Sequence, residues 1–76
     1  MKITQGLLND PRQLTALKAA FLNKENKVQN LDPENPQLTN WVSFTLEEND
    51  TVIKAFVVYN GYSYYWYLPV TEFLPV

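Results

Sequence analysis

The chain has 76 residues, 46% of them hydrophobic and 18% charged, with a formal net charge of −2 from 6 basic and 8 acidic side chains. This composition predicts one small domain with a packed core and argues against wholesale disorder. Because the sequence contains neither Cys nor His, it excludes disulfides, zinc–thiolate sites, thiol nucleophiles and histidine bases. We therefore expect no metal and no cofactor.

The distribution of charged and apolar residues limits the partners. The basic residues form no cluster, which argues against a double-stranded nucleic acid as partner. The longest aromatic-rich run is interrupted by Asn60, Gly61 and Ser63, so it is too short for a membrane span, and the N-terminus lacks the apolar stretch of a signal peptide. We expect a cytoplasmic protein with no membrane partner.

A helix is predicted over about residues 11–24. Asp10 can accept a hydrogen bond from the first free backbone N–H groups, and Pro11 suits the first helical position. Gln13 lies three residues after the cap, where a capping box places Glu or Gln. Apolar residues then recur at helical spacing: Leu14, Leu17 and Phe21, with Leu22 beside them.

A polar segment and three strands follow. Residues 25–40 are rich in Asn and contain two prolines, which predicts a loop. Strands are predicted over about residues 41–47, 51–59 and 62–68. The first two are joined by turn residues at 48–50, and the last two by Asn60-Gly61, which is typical of a type I′ hairpin. The tail, residues 69–76, is apolar.

The two turns fix a register and therefore two faces of the sheet. A two-residue turn at Asn60-Gly61 places Tyr59 opposite Tyr62, and the first turn places Leu46 opposite Ile53. The face that the helix should cover then holds Val42, Phe44, Leu46, Ile53, Ala55, Val57, Tyr64, Trp66 and Leu68. The opposite face holds Trp41, Ser43, Thr45, Val52, Lys54, Phe56, Val58, Ser63, Tyr65 and Tyr67.

The second face is more apolar than a solvated sheet face should be, and aromatic residues are enriched at binding hot spots. The predicted partner-binding residues are Trp41, Phe56, Val58, Tyr65, Tyr67 and Lys54. A second interpretation stays open, in which the loop 25–40 and the C-terminal tail fold over this face and form a second small core.

The sequence therefore predicts an α+β domain, in which one N-terminal amphipathic helix packs on a three-stranded antiparallel meander. Its predicted function is that of a non-catalytic protein-binding module (a small inhibitor, adaptor or regulatory subunit), and a homodimer through the same face is the simplest version. The alternative is a module that stacks a saccharide or a single-stranded nucleic acid on its tyrosines, which are Tyr59, Tyr62, Tyr64, Tyr65 and Tyr67.

Enzymatic activity is not expected. The carboxylates nearest to the strands are interpreted as solvated turn charges rather than an acid–base pair, and the Ser and Thr residues have no visible base to activate them. These carboxylates are Glu47, Glu48, Asp50 and Glu72.

Overall fold

The computed structural model describes residues 2–24, 39–59 and 61–76. Helices and 3-10 turns occupy α1 (Gln5–Leu8), Pro11–Gln13, α2 (Leu14–Lys24) and Val70–Glu72, and the strands are β1 (Thr39–Glu47), β2 (Val52–Tyr59) and β3 (Tyr62–Pro69). The strands form one antiparallel sheet in the order β1-β2-β3, which confirms the α+β arrangement. Residues 25–38 of the predicted loop lie outside the described residues.

The helical segment begins as its sequence predicts. The Asp10 carboxylate accepts a hydrogen bond from the Arg12 backbone N–H at 2.9 Å, and Pro11 occupies the first position of the 3-10 turn that leads into α2. The preceding helix α1 was not predicted, and it is capped by the Thr4 hydroxyl, which accepts a bond from the Leu7 N–H at 3.1 Å. Local capping therefore defines the start of both helical segments.

Gln13 does not close a capping box. It is buried, and its side-chain amide pairs with the backbone of Val76 at the other end of the chain. Gln13 Nε2 donates to the Val76 carbonyl at 2.9 Å, and the Val76 N–H donates to Gln13 Oε1 at 2.8 Å. The amide thus holds the C-terminal tail beside the start of the helical segment.

The predicted register holds throughout the second hairpin and in most of the first. β2 and β3 pair from Tyr59 opposite Tyr62 to Ile53 opposite Leu68 and beyond. In the first hairpin Leu46 lies opposite Ile53, as the turn predicts. The turn itself contains three consecutive left-handed residues, Glu48, Asn49 and Asp50, with φ angles of 52°, 58° and 64°.

A β-bulge in β1 overturns the prediction for Trp41 and Val42. Trp41 lies opposite Val57 and Ser43 lies opposite Phe56, so Val42 is the additional residue of the bulged strand. Val42 was predicted in the core but is 51% exposed. Trp41 was predicted on the opposite face, and that placement is wrong, because the added residue moves Trp41 to the side of the sheet that faces the helix.

The core lies between the helices and this side of the sheet. Trp41 packs there among three aromatic rings, with centroid distances of 6.0 Å to Phe21, 5.7 Å to Phe44 and 5.2 Å to Trp66. The tail joins the same core through Phe73, which is 3% exposed. The fully buried hydrophobic residues are Leu17, Phe21, Ile53, Ala55, Val57 and Leu68.

Candidate functional site: the outer face of the sheet

The side of the sheet that points away from the helices, here called the outer face, is the candidate site. Side chains alternate between the two faces along each strand, and the register places on the outer face those of Ser43, Thr45, Glu47, Val52, Lys54, Phe56, Val58, Ser63, Tyr65 and Tyr67. All the predicted partner-binding residues except Trp41 therefore share this face.

Phe56 and Tyr65 form the centre of the outer face. They lie directly opposite each other on β2 and β3, and their rings stack with centroids 5.2 Å apart and planes inclined by 24°. Cross-strand aromatic pairs of this kind stabilise a sheet by roughly 0.2–1 kcal/mol. The pair presents a continuous aromatic surface, since Phe56 is half-buried and Tyr65 is 56% exposed.

Lys54 contacts both an aromatic ring and a carboxylate on this face. Its Nζ lies 5.1 Å from the centroid of the Tyr65 ring and 3.4 Å from Glu47 Oε1. The cation–π contact and the ion pair both hold the ammonium group close to the sheet. Because Glu47 neutralises Lys54, the outer face carries little net positive charge.

The C-terminal tail does not cover the outer face. Phe73 buries its side chain on the helix side of the sheet, and Tyr65 and Tyr67 remain 56% and 54% exposed. This finding corrects one half of the alternative in which tail and loop form a second core. The other half concerns the loop 25–40, of which residues 25–38 lie outside the described residues.

A buried side-chain oxygen on the outer face has no hydrogen-bond partner among the described residues. Thr45 Oγ1 is buried and forms no hydrogen bond there. Thr45 lies opposite Lys54 in the first hairpin. A hydroxyl in this situation lowers stability rather than contributing to it.

The carboxylates do not converge on the outer face. Glu47 is paired with Lys54, and Glu48 and Asp50 are exposed in the turn. The pKa of Asp10 is held below its ordinary value mainly by a side-chain hydrogen bond from Arg12, but this pair lies at the start of the helical segment. Within the described ranges, no group of three or more acidic side chains could hold a metal ion.

A separate concave region lies where the N-terminal segment meets the tail. This open cleft of about 420 Å³ is lined mainly by apolar side chains and contains one lysine and one aspartate. Its lining residues are Lys2, Ile3, Asp50, Val70, Thr71, Phe73, Leu74 and Pro75. The cleft therefore lies away from the stacked aromatic pair.

No helix in the part of the chain that the structure describes is long and apolar enough to cross a membrane. Comparison with known proteins found no matching family model, no matching curated protein and no matching solved structure.

Proposed function

We propose that this protein is a non-catalytic protein-binding module, acting as a small inhibitor, adaptor or regulatory subunit, that buries the outer face of its sheet against another protein. The observation that carries this proposal is the stacked pair of Phe56 and Tyr65 on a face that the helices and the tail leave uncovered. Tyrosine is enriched at binding hot spots because it supplies a large apolar area together with a polar hydroxyl.

The arrangement of this face resembles the anatomy of an interface. The half-buried side chains of Phe56 and Val58 form an apolar centre, and the exposed rings of Tyr65 and Tyr67 lie beside them. Lys54 and Glu47 supply a charged pair at one end. An apolar centre with a polar rim is what a specific interface requires. The mechanism would be occlusion or scaffolding, with Tyr65 and Tyr67 as anchors.

A module that stacks a saccharide or a single-stranded nucleic acid is the second candidate. The exposed rings of Tyr65 and Tyr67 favour it, because every base and many sugars have a face that can stack. The pairing of Lys54 with Glu47 argues against a nucleic acid, which also needs a positive groove.

The test compares Phe56→Ser and Tyr65→Ser with Tyr62→Ser. Tyr62 is 67% exposed, and the alternation along β3 places its side chain on the opposite face of the sheet from Tyr65. This control therefore removes a tyrosine without altering the outer face. Immobilised wild-type protein is used to capture partners from its native host, and each captured protein is then purified and titrated by calorimetry against every variant.

The proposal expects one partner that binds wild-type protein and Tyr62→Ser equally and binds the two outer-face variants at least tenfold more weakly. Circular dichroism and urea unfolding establish that the variants are folded. Equal binding by all three variants, or the absence of a partner that survives purification, would overturn the proposal. Titration with oligosaccharides and single strands, followed by tryptophan fluorescence, tests the second candidate.

A further inference from the structure

The two edges of the sheet differ in how their backbone groups are used. On β1, the Gln5 side chain donates to the Phe44 carbonyl and accepts from the Leu46 N–H, at 2.8 Å and 2.9 Å. These bonds identify the β1 residues whose backbone groups point away from β2. In an antiparallel ladder, successive residues of a strand direct their N–H and C=O groups alternately toward one side of the strand and toward the other. The register therefore also fixes the direction of the backbone groups in β2 and β3.

On β3, the same alternation leaves one set of backbone groups directed outward. Phe44 lies opposite Ala55, and Ala55 lies opposite Trp66. Because the backbone groups of Phe44 point away from β2, those of Ala55 point toward β3 and form hydrogen bonds with those of Trp66. The neighbouring residues Tyr65 and Tyr67, and Ser63 further along, therefore direct their N–H and C=O groups away from the sheet. Among the described residues, no backbone group bonds to them.

From Tyr62 to Leu68, the β3 edge lacks the features that keep natural edge strands apart, and only the last residue of the strand, Pro69, supplies one of them. Residues 62–68 contain no charged residue and no proline, and five of the seven are tyrosine or tryptophan on both faces of a regular ladder. Unpaired edges are usually protected by charge, proline, a bulge or a covering group. β1 has two of these protections, a bulge at Trp41 to Ser43 and the Gln5 amide.

We infer that the β3 edge pairs with the β3 edge of a second copy of this chain, in an antiparallel two-fold arrangement centred on Tyr65. A second copy supplies the chemistry that this edge requires, namely an uncharged extended strand with the same alternation of donors and acceptors. Tyr65 is the middle residue of the uncharged stretch 62–68, so centring the axis there gives the longest uncharged overlap. Tyr65 then lies opposite the Tyr65 of the other copy, and Ser63 lies opposite its Tyr67.

The area of the outer face gives this pairing a functional reason. Three strands about 4.8 Å apart and eight residues long at about 3.4 Å per residue cover roughly 400 Å². Joining two sheets along β3 produces a six-stranded sheet whose outer face is twice as large, with the two Tyr65 rings at its centre. The dimer itself depends on the β3 edge and not on the proposed function.

One matched pair of variants at Ser63, together with a variant of the outer face, tests the edge directly. Ser63→Pro removes an outward N–H without removing a bond to β2 or an aromatic ring, and Ser63→Ala is its matched control. Sedimentation equilibrium should show a dimer for wild-type protein and Ser63→Ala, with a dissociation constant raised about tenfold or more in Ser63→Pro. Phe56→Ser should remain dimeric, which separates this edge from the outer face.

The register is tested with single cysteines, because the chain has none of its own. Directly paired residues with mutual hydrogen bonds have Cα atoms about 5.5 Å apart, within reach of a disulfide. Tyr65→Cys should therefore form a linked dimer on mild oxidation, whereas Tyr62→Cys, on the same strand and 67% exposed in the wild type, should not. Stacking of two outer faces would hold their backbones about 10 Å apart and would not link Tyr65→Cys.

Amide hydrogen exchange of the unmodified protein completes the test and requires no variant. The amides of Ser63, Tyr65 and Tyr67 should exchange slowly at high concentration and rapidly on dilution below the dissociation constant. A wild-type protein that remains monomeric at millimolar concentration would overturn the inference, as would a dimer in which these three amides exchange rapidly.

Discussion

The side-chain amide of Gln5 hydrogen-bonds to the backbone at Phe44 as an additional β-strand would. Its Nε2 lies 2.8 Å from the Phe44 carbonyl oxygen, and its Oε1 accepts from the Leu46 N–H at 2.9 Å. One side chain from α1 thereby satisfies a donor and an acceptor on the edge of β1. The contact also fixes α1 against the sheet, although 39 residues separate Gln5 from Phe44.

Replacing Gln5 with alanine should therefore destabilise the protein although the side chain is exposed. Three side-chain hydrogen bonds are lost, two with β1 and one with Asn9 Oδ1, and we expect the free energy of unfolding to fall by about 1–2 kcal/mol. Urea unfolding measures the change. Thr15→Ala, an exposed position of α2, is the control and should change stability by less than about 0.5 kcal/mol. Equal effects at the two positions would show that the Gln5 contact contributes nothing.

The bulge in β1 predicts opposite responses at two neighbouring positions. Trp41→Ala should lower the free energy of unfolding by about 2–3 kcal/mol, because it removes a half-buried ring from the cluster of Phe21, Phe44 and Trp66. Val42→Ser should change it by less than about 0.5 kcal/mol, since Val42 is 51% exposed. A regular strand would give the reverse order of sensitivity, so thermal unfolding of the two variants distinguishes the registers.

Local signals in the sequence were sufficient to predict where the helical segment begins, how the second hairpin pairs and which residues form most of the outer face. Asp10 and Pro11 mark the start through capping that involves only neighbouring residues. Asn60-Gly61 predicts a two-residue turn, and that turn fixes the side of every residue in β2 and β3. Phe56 and Tyr65 could therefore be paired from the sequence, and they are stacked in the structure.

The bulge and the two glutamine contacts could not be predicted in this way. Trp41 and Val42 are both apolar, so an alternating pattern fits either of them in the core and does not reveal an additional residue. Gln5 and Gln13 bond to backbone groups 39 to 63 residues away, and such contacts depend on the packed fold rather than on neighbours in the sequence. A glutamine at the third helical position suggested a local capping box instead.

Thr45→Val should stabilise the protein. Valine has nearly the same shape as threonine, and the substitution removes a buried hydroxyl for which the described residues supply no partner. We expect the free energy of unfolding to rise by about 1 kcal/mol. Thr51→Val is the matched control, because the Thr51 hydroxyl donates to the Glu48 carbonyl at 2.6 Å. A loss of stability in Thr45→Val would mean that its hydroxyl is hydrogen-bonded in solution.

A glycine substitution in the left-handed turn between β1 and β2 should also change the free energy of unfolding. Glu48 has a φ angle of 52°, a conformation that costs a residue with a side chain about 1 kcal/mol and costs glycine little. Glu48→Gly should raise the free energy of unfolding by about 0.5–1 kcal/mol. Glu47→Gly, one position earlier within β1, should lower it. Chemical denaturation of both variants tests the sign, and a decrease in both would contradict a left-handed Glu48.

The hydrogen bonds between Asp10 and Arg12 make the helix start sensitive to acid. The pKa of Asp10 is lowered from its ordinary value of 3.8 mainly by the side-chain hydrogen bond from Arg12. A carboxylate with a lowered pKa in the folded state stabilises the fold above pH 3.8, and this stabilisation is lost as the pH falls through the lowered pKa. A carboxyl-detected NMR titration should therefore place the Asp10 midpoint below 3.8.

Arg12→Ala tests whether the Arg12 side chain is the cause of the lowered pKa of Asp10. Without the guanidinium group, the Asp10 midpoint should move upward toward its ordinary value, although the backbone hydrogen bond at position 12 still lowers it. Lys18→Ala removes a positive charge elsewhere on the helical segment and should leave the midpoint unchanged. An Asp10 midpoint that is the same with and without Arg12 would show that the side-chain pair does not persist in water.

The contact of Gln13 with Val76 makes two segments that are distant in the sequence depend on each other. Gln13 is buried, and its amide bonds to the Val76 N–H and carbonyl, while Phe73 fills part of the core between them. Without residues 70–76 the three strands would all be present, but the Gln13 amide would lose both bonds and the core would lose the Phe73 ring. The sheet alone therefore does not complete the domain, since its interior is closed by a segment that belongs to no strand.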